Sequence, residues 1–393
     1  MSLSRNLVAG GLVAGAVGGT LAALRHPTFG AAPEGARLDR MRRSPQWDGG
    51  AFRNPLPMRS SGSPGAIWEW FFGGDGLRTP DAPIPTVART RADFEAPQRL
   101  RLTWLGHGTT LVEIAGRRLL IDPVFSRNAS PGPLFGVARF FEPPLRLAEV
   151  PDLDAVVLTH DHYDHLDHAT VRRLADRVPR WVCPLGVGAH LERWGVPADR
   201  ITECDWWDEA EVAGIRLVCT PARHFSGRFL DDRNRTLWSG WAVLADEARL
   251  YATGDGGFGP HFSEVGERLG PFDATLAEVG AYNATWADVH MGPEQAVRAV
   301  EEARGGLLVP VHWGTFNLAF HGWTEPAERV VVAAEAAGVP VCVPRPGESI
   351  EPTAPPAVER WWPELPWKSA DESPVVSSGL DGAVAQAGLS EAA

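Results

Sequence analysis

The amino-acid sequence predicts a mixed α/β (α+β) fold in which two β-sheets are covered by helices. Short apolar or alternating runs typical of strands recur between Leu100 and Val311. Segments with helical spacing of apolar residues lie between and after these runs, and the two kinds of segment do not alternate regularly. This irregular order favours two packed sheets over a barrel of alternating strands and helices.

Each predicted strand is a short apolar or alternating run. The predicted strands are Arg101–Trp104, Thr110–Ile114, Arg118–Ile121, Ala155–Leu158, Ile215–Cys219, Trp238–Leu244, Leu250–Ala252 and Leu307–Val311. The predicted helices are Thr170–Val178, Pro293–Ala303 and Glu325–Ala337. The second of these helices has a proline in its first turn and apolar residues on one face.

Changes in composition divide the chain into regions. Residues 98–350 carry the strand and helix signals and form the predicted domain. Residues 26–97 are rich in Pro, Gly and Arg without a persistent period, which predicts an irregular arm that wraps over the domain. Residues 351–393 are rich in Pro and then in Ser, Gly and Ala, and we expect disorder from about residue 370.

Residues 1–25 are a hydrophobic segment that could associate with a membrane. An uncharged run from Leu7 to Leu24 lies between Arg5 and Arg25, and it has the length of a marginal transmembrane helix. A signal peptide is the second interpretation, but no small-x-small cleavage site follows Leu24, which favours an uncleaved anchor. A helix packed on a cytoplasmic domain is the third interpretation.

Charge and cysteine content exclude some classes of protein. The formal net charge of -12 offers no general attraction to phosphate backbones, so nucleic acid is not an expected partner. The four cysteines form no CxxC pair, which predicts buried small side chains rather than a zinc knuckle or a disulfide framework. They are Cys183, Cys204, Cys219 and Cys342.

A cluster of potential metal ligands follows the predicted strand at Ala155–Leu158. The run is His160-x-His162-x-Asp164-His165, and three histidines with an aspartate at this density are improbable by chance. On extended backbone His160 and His162 project to the same side and can chelate one ion. Asp164 and His165 follow where the chain turns, and therefore suit a second ion.

Further ligands are predicted where other strands end. His224, Asp255 and His312 each follow a strand-like run, so they can converge with the first cluster at one edge of the sheets. The set suits two metal ions about 4 Å apart, and the carboxylate of Asp255 is the natural bridge between them. Gly254 and Gly256 flank Asp255, and we expect them to let the backbone approach the metals closely.

These residues resemble the metallo-β-lactamase superfamily, whose signature is HxHxDH followed by separated His, Asp and His. The resemblance extends from Leu100 to Glu348 and is closest to the branch that hydrolyses N-acylphosphatidylethanolamine as a phospholipase D. Matching segments include Thr103-Trp-Leu-Gly-His107, Ile121-Asp122-Pro123, Asp205-Trp-Trp207, Gly280-Ala-Tyr282 and Val311-His-Trp-Gly-Thr-Phe316.

The resemblance implies a four-layer αββα sandwich with a dinuclear site for divalent metal ions. Zinc is the expected metal, and manganese and iron also suit these ligand types. The implied ligands are His160, His162 and His224 for one ion and Asp164, His165 and His312 for the other, with Asp255 shared. Asp122 and His107 match supporting positions that orient the ligands.

The resemblance also implies a phosphodiesterase in which a hydroxide that bridges the metals attacks phosphorus. Asp164, Asp255 and His290 are then the candidate catalytic residues, and His290 resembles a histidine near the substrate phosphate. The expected partner is a small-molecule or lipid phosphodiester, which could be presented by a membrane surface. The chain has Gly254-Asp255-Gly256 where the family commonly has Gly-Asp-Thr, and the segment Asn283–His290 also differs from the lipid enzyme.

Other functions remain open at this stage. The same metals could serve a lactonase or another carboxylic-ester or amide hydrolase, because hydroxide attacks carbon as well as phosphorus. A non-catalytic scaffold tethered to a membrane is a second alternative, although the complete ligand set disfavours it. A nuclease would need a basic stripe that the sequence lacks. The apolar loop at residues 131–141 could accommodate an acyl chain, but capping of the core is the favoured interpretation.

Overall fold

The computed structural model describes residues 26–59, 76–132 and 136–380. The predicted anchor or signal at residues 1–25 lies outside the described residues. Within the described residues, no helix is both long and apolar enough to cross a bilayer.

The described strands are β1 Trp47–Asp48, β2 Ala51–Phe52, β3 Leu100–Gly106, β4 Thr109–Ile114, β5 Arg117–Ile121, β6 Asn128–Ala129, β7 Val137–Ala138, β8 Ala155–Val157, β9 Trp181–Pro184, β10 Ile201–Cys204, β11 Glu209–Val212, β12 Ile215–Thr220, β13 Gly240–Leu244, β14 Arg249–Ala252, β15 Ala274–Glu278, β16 Leu307–Val311 and β17 Ser349–Ile350. The described α-helices are α1 Gly35–Met41, α2 His168–Leu174, α3 Gly188–Arg193, α4 His261–Leu269, α5 Pro293–Glu302 and α6 Glu325–Ala337.

Two mixed sheets form the centre of the described structure. The first has the strand order β10-β9-β8-β5-β4-β3-β17, and the second has the order β11-β12-β13-β14-β15-β16. Parallel pairing joins β5, β8, β9 and β10 in the first sheet and β14, β15 and β16 in the second. The carboxyl ends of these parallel strands are where ligand-bearing loops can gather.

Strands β8 and β9 of the first sheet are buried throughout, which explains their continuous apolar sequences. In β5, Leu119 and Ile121 pack into the core between the sheets. Leu120 points the other way and packs with Leu174 of α2 and Leu191 of α3. Helices α4, α5 and α6 contribute side chains to the inter-sheet core cluster and cover the other face of the second sheet. The layers are therefore helix, sheet, sheet and helix. The predicted αββα sandwich is therefore the observed fold.

Some element boundaries differ from the sequence-based prediction. The strand predicted from Trp238 begins at Gly240, because the Ser239 amide donates to the carbonyl of Thr159 in the other sheet's loop, 2.9 Å away. The helix predicted from Thr170 to Val178 is shorter and begins at His168. Asp167 caps it by accepting a hydrogen bond from the Ala169 amide. The strands β1, β2, β6, β7, β9, β10, β11, β15 and β17 and the helices α1, α3 and α4 were not predicted.

The predicted tail is ordered further than expected. Disorder was expected from about residue 370, but Val375 and Ser377 are buried. The Ser378 amide donates to Asp288 over 2.7 Å, and its carbonyl accepts from Arg223 over 2.7 Å. Polar contacts with the domain therefore hold the chain to residue 380, and the expectation is corrected for that stretch. Residues 381–393 lie outside the described part.

Candidate metal centre

The first group of donors consists of His160, His162 and His224. Nε2 of His160 lies 2.9 Å from Nδ1 of His162, and Nε2 of His224 lies 3.2 Å from the same atom. The ligand nitrogens of tetrahedral zinc, at about 2.0–2.1 Å from the metal, are separated by roughly 3.3 Å. The three nitrogens therefore have a spacing that suits the ligands of one ion.

The second group of donors consists of Asp164, His165 and His312. Oδ2 of Asp164 lies 3.4 Å from Nε2 of His312 and 3.6 Å from Nε2 of His165. His312 follows β16 directly, whereas Asp164 and His165 belong to the loop after β8. The carboxyl ends of β8 and β16, which belong to different sheets, therefore lie close together and supply this group. The sequence analysis expected the ligands to follow strand ends in this way.

Asp255 lies between the two groups. Its Oδ2 is 2.9 Å from Nε2 of His312 and 3.1 Å from Nε2 of His165. The same oxygen is 3.9 Å from Nε2 of His160 and 4.0 Å from Nε2 of His224. The carboxylate is buried and reaches both groups, although it is nearer to the second.

Hydrogen bonds fix the tautomers of three of these histidines. In each, the ring nitrogen that faces away from the centre donates to a protein oxygen, so the nitrogen that faces the centre carries a lone pair. The donating pairs are His160 Nδ1 to Thr159 Oγ1 at 3.0 Å, His165 Nδ1 to Asp122 Oδ2 at 2.8 Å and His224 Nδ1 to Val289 O at 2.9 Å.

The burial and the chemical type of the donor atoms fit divalent metal ions. Nε2 of His165 and Nε2 of His312 are buried and make no well-formed hydrogen bond, although Oδ2 of Asp255 lies 3.1 and 2.9 Å away. A buried polar atom without a partner costs free energy unless a ligand satisfies it. Imidazole nitrogens and carboxylate oxygens are donors that zinc, manganese and iron accept. The arrangement can therefore hold divalent metal ions.

Strained backbone positions aim several of these side chains. Asp122, His107 and His312 have φ angles of 41°, 53° and 65°, in the left-handed region that non-glycine residues rarely adopt. The amide of His312 donates to the carbonyl of His107, 3.1 Å away. A Cβ atom on Gly280 would lie 2.2 Å from the carbonyl oxygen of His312, so only glycine fits beside this turn.

His107 and Asp122 support the ligands, in the positions that the family resemblance implied. Nε2 of His107 donates to Oδ2 of Asp164 over 2.8 Å. Burial and the nearby His312 lower the pKa of His107 to about 3, which keeps its ring neutral. Burial opposes protonation of His165, but the charges of Asp255, Asp164 and Asp122 outweigh it and raise the pKa of His165 well above its usual value. The acidic surroundings therefore attract positive charge to this point.

The glycines around Asp255 have a different role from the predicted one. A Cβ on Gly254 would lie 2.4 Å from the Ser239 carbonyl oxygen, and a Cβ on Gly257 would lie 2.4 Å from that of Asp288. A Cβ on Gly256 would lie 3.0 Å from the amide nitrogen of Arg223. These glycines let neighbouring backbone segments approach each other. The expectation that they also let the backbone approach the metals stays a prediction.

His290 lies beside the donors, and a buried carboxylate that was not predicted holds it. Nδ1 of His290 donates to Oε2 of Glu278 over 2.9 Å, while Oε1 of Glu278 accepts from the Gly256 amide over 2.6 Å. Nδ1 of His290 is 4.0 Å from Oδ2 of Asp255. Glu278 is the last residue of β15. The sequence analysis looked for site residues at the ends of strands, so it would have identified Glu278 if this strand had been predicted. It was missed because that strand was not recognised.

A buried arginine ties the ligand loop to the N-terminal arm. One Nη atom of Arg228 donates to the carbonyls of Asp161 and Leu166, which lie at the two ends of the loop that carries the first ligands. Its Nε donates to the carbonyl of Thr28 over 2.8 Å. The Ala31 amide donates to Nδ1 of a histidine on α3 over 2.9 Å. The arm at residues 26–31 is therefore part of the support of the metal centre.

A cavity of about 400 Å³ opens onto the donors. His162, Asp164, Asp255, His290 and His312 contribute to its wall. Its other lining residues are apolar except for one arginine, and they are Phe225, Arg233, Ala281, Trp286, Val289 and Leu318. A substrate at the metal centre would thus meet apolar surface on its way out.

The remaining candidate segments lie in packing positions. Nε2 of His321 accepts from the Ala281 amide over 3.0 Å, while His168 packs on Trp194. In the described part of the loop at 131–141, the guanidinium of Arg139 lies over the ring of Phe316, 5.5 Å away. Residues 133–135 lie outside the described structure, so the acyl-chain interpretation of this loop stays untested. The four cysteines are buried and free.

Comparisons with known proteins identify the family of this chain. Residues 117–313 match the family model of the beta-lactamase superfamily domain. An uncharacterized protein of Mycobacterium tuberculosis is 50% identical over 301 residues, which cover 75% of this chain and 80% of the relative. An N-acyl-phosphatidylethanolamine-hydrolyzing phospholipase D of Caenorhabditis elegans is 38% identical over 250 residues, which cover 61% of this chain and 70% of the relative.

A solved structure supports the fold. Isothiocyanate hydrolase from Delia radicum gut bacteria superposes with a TM-score of 0.51 at 21% identity, over 64% of this chain and 98% of that chain. The stretch that matches the family model contains all seven residues of the two donor groups and Asp255. The chain therefore belongs to the metallo-β-lactamase superfamily, and it is a metal-dependent hydrolase.

Proposed function

We propose that this hydrolase cleaves the phosphodiester bond of N-acylphosphatidylethanolamine-type lipids at a centre of two divalent metal ions, with zinc as the resident metal. The observation that carries the proposal is the position of Asp255, whose Oδ2 lies within 4.0 Å of ligand nitrogens from both donor groups. A carboxylate placed in this way suits two ions rather than one. The 38% sequence identity with the N-acyl-phosphatidylethanolamine-hydrolyzing phospholipase D of Caenorhabditis elegans supports the substrate class.

Two ions bound here would supply a nucleophilic hydroxide at neutral pH and would polarise the phosphoryl oxygens. The protein contributes the fixed positions of the donors, because hydrogen bonds to Thr159, Asp122 and Val289 hold the histidine rings. His107 orients Asp164 in the same way. The preorganised site then needs little rearrangement during the reaction.

His290 is the residue that handles the leaving group in this proposal. Its Nδ1 is engaged by Glu278, so Nε2 is the atom that it can offer to the cavity. A proton held at Nε2 can pass to the oxygen of the departing N-acylated amino alcohol. The negative charge of Glu278 stabilises the imidazole ring of His290 while the ring holds that proton. In this proposal His290 is therefore the general acid, and Glu278 is the residue that positions and stabilises it.

The cavity wall suits a lipid. Phe225, Trp286, Val289 and Leu318 provide apolar surface next to the donors. An acyl chain that leaves the metal centre along this surface would remain out of water. A membrane is the natural source of such a substrate, so association with a membrane surface is part of the proposal.

The experiment is turnover of N-acylphosphatidylethanolamine in mixed micelles by zinc-loaded protein, with the products identified by mass. We expect phosphatidate and an N-acylethanolamine, and we expect Asp255→Ala to be silent. Asp246→Ala is the matched control, because Asp246 is an exposed aspartate on the turn between β13 and β14. The metal content of each variant is measured in parallel.

The outcomes separate the alternatives. Phosphatidate from the wild type and from Asp246→Ala, but not from Asp255→Ala, supports a phosphodiesterase at this centre. If two metal ions bind but no phosphorus–oxygen bond breaks, the phosphodiesterase proposal fails. Turnover of a lactone by the same preparation would then identify a carboxylic-ester hydrolase. A content of one ion per chain would contradict the dinuclear centre.

A further inference from the structure

One charged side chain in the cavity has no role in the reaction described above. Among the described residues that line the cavity, Arg233 is the only lysine or arginine. It is exposed, whereas the metal donors are buried or, for His162 and Asp164, half-buried, so Arg233 lies nearer the rim than the donors do. The chain has a formal net charge of -12, which makes a cation at this position distinctive.

The guanidinium of Arg233 has no anionic partner among the described residues. Its described contact is with the ring of Phe225, whose centroid is 4.3 Å from Cζ. The side chain is partly covered where it packs on Phe225, and this desolvation lowers the pKa of Arg233 with no acidic group to oppose it. An arginine carries its charge at all physiological pH values, so a charge without a counter-ion is available for a ligand.

The loop that carries Arg233 is held in place, so the charge has a defined position. The carboxylate of Asp232 is hydrogen bonded to the backbone, because it accepts from the amides of Arg228 and Phe229 over 3.0 and 2.8 Å. Asn234 has a φ of 60° and donates its amide to the Ser226 carbonyl over 3.0 Å. The neighbouring carboxylate is therefore turned away from the guanidinium.

The position of Arg233 relative to the metal donors decides which part of a substrate it can touch. Phe225 contacts the ring of His162 at 4.4 Å between centroids and the ring of His224 at 4.8 Å. Arg233 stacks on the same phenyl ring, so this ring links the guanidinium to the donors. A group held by the metals lies at the buried floor, and Arg233 reaches a second group nearer the rim.

We propose that Arg233 binds a second anionic group of the substrate, such as a carboxylate or phosphate, and so makes the enzyme select anionic amphiphiles. Guanidinium forms charge-assisted, bidentate hydrogen bonds with both kinds of oxyanion. The apolar residues Trp286, Val289 and Leu318 in the same wall would accommodate the chain that joins this group to the metal centre. The shape of the ligand rests on the proposed function, but the charge selection does not depend on phosphodiester cleavage.

The test measures binding to zinc-loaded protein and needs no turnover. The probes are non-hydrolysable phosphonate analogues of one N-acyl lipid, so all of them share the acyl chain and one anionic group for the metal centre. Their second group is a hydroxyl in the first probe, a carboxylate in the second and a phosphate in the third. We expect the wild type to prefer a probe with a second anionic group over the hydroxyl probe by about tenfold, and Arg233→Gln to lose most of that preference. Arg233→Lys should keep part of it, because the charge remains.

Arg235→Gln is the matched control, because Arg235 is an exposed arginine two positions along the same loop. It should keep the full preference. Loss of preference in Arg233→Gln alone supports the inference, and the probe that is affected shows whether the group is a carboxylate or a phosphate. Equal preference in wild type and Arg233→Gln, or equal losses in both glutamine variants, would overturn it. Absence of phosphodiester cleavage with an intact binding difference would contradict the proposed function and leave this inference standing.

Discussion

At the scale of single residues, the tautomer of each histidine decides which nitrogen can bind a metal ion. Asp122 accepts from Nδ1 of His165 and from the amide and hydroxyl of Thr159. It therefore fixes the lone pair of His165 on Nε2, the atom that faces the other donors. The sequence could predict Asp122 through its family resemblance, but it could not show this hydrogen bond.

Asp122→Asn should weaken metal binding at the second donor group. The asparagine amide would present N–H groups to Nδ1 of His165, which favours the tautomer with its proton on Nε2. Loss of such a supporting group typically lowers metal affinity about 10–100-fold. Zinc titration against a chromophoric chelator measures the change. An unaltered affinity for both ions would contradict the role of Asp122.

Glu278→Gln tests the support of His290. The variant keeps an oxygen for the Gly256 amide but removes the charge that stabilises a protonated imidazole. We expect turnover of a lipid phosphodiester to fall about 10²–10⁴-fold, the range of general acid catalysis. A p-nitrophenyl phosphodiester, whose leaving group needs no proton, should lose less than about tenfold. Similar losses for both esters, with full metal content, would indicate a structural role for Glu278.

His261 gives a prediction for stability against pH. Burial and the charge of Arg223 lower its pKa in the folded protein to about 3. The unfolded chain, with an ordinary histidine pKa of about 6.5, binds a proton that the folded chain rejects. The free energy of unfolding should thus decrease as the pH falls from about 6.5 towards 3. His261→Gln should show a shallower decrease in urea unfolding at pH 7 and pH 5, and parallel curves would refute this.

At the scale of elements, strand ends carry most of the site, and they explain what could be read from the sequence. His160, His224, Asp255 and His312 were predicted because each follows an apolar run, and the structure brings them together. The same argument missed Glu278, because the run before it contains small and polar residues and gives little strand signal. Arg233 was missed for another reason, since nothing in a loop sequence shows which cavity it borders.

Gly280→Ala tests the close contact between two loops of the site. The added methyl group would lie 2.2 Å from the carbonyl oxygen of His312, so one of the two segments must move. We expect a loss of about 1–3 kcal/mol in the free energy of unfolding and a weaker second metal site. Gly322→Ala is the control, because its Cβ would have no neighbour nearer than 3.5 Å. Equal stability of the two variants would contradict the argument.

At the scale of the whole molecule, segments distant in sequence close around the domain. Composition predicted an irregular arm and a disordered tail, and it gave no sign that Ser378 would contact Asp288. Asp288 also pairs with Arg223 at 3.0 Å, next to the ligand His224. Short polar segments of this kind bind to the domain through a few specific contacts. The spacing of apolar residues in the sequence predicts helices and strands, but it does not predict such contacts.

Ending the chain at residue 370 should therefore destabilise the protein. The change removes the buried side chain of Val375 and leaves Asp288 without the Ser378 amide. We expect the free energy of unfolding to fall by about 2–4 kcal/mol. A chain that ends at residue 380 is the control, since it retains these contacts. Coincident urea-unfolding curves for the two chains would show that residues 371–380 contribute nothing.

The contacts of Arg228 have a consequence for the order in which the enzyme matures. The loop from Asp161 to Leu166 takes its shape from a guanidinium that is itself anchored on Thr28 of the arm. The segment that matches the family model, residues 117–313, lacks that anchor. We therefore expect the ligand loop to reach its final shape only once the arm has docked, and metal uptake to follow arm docking.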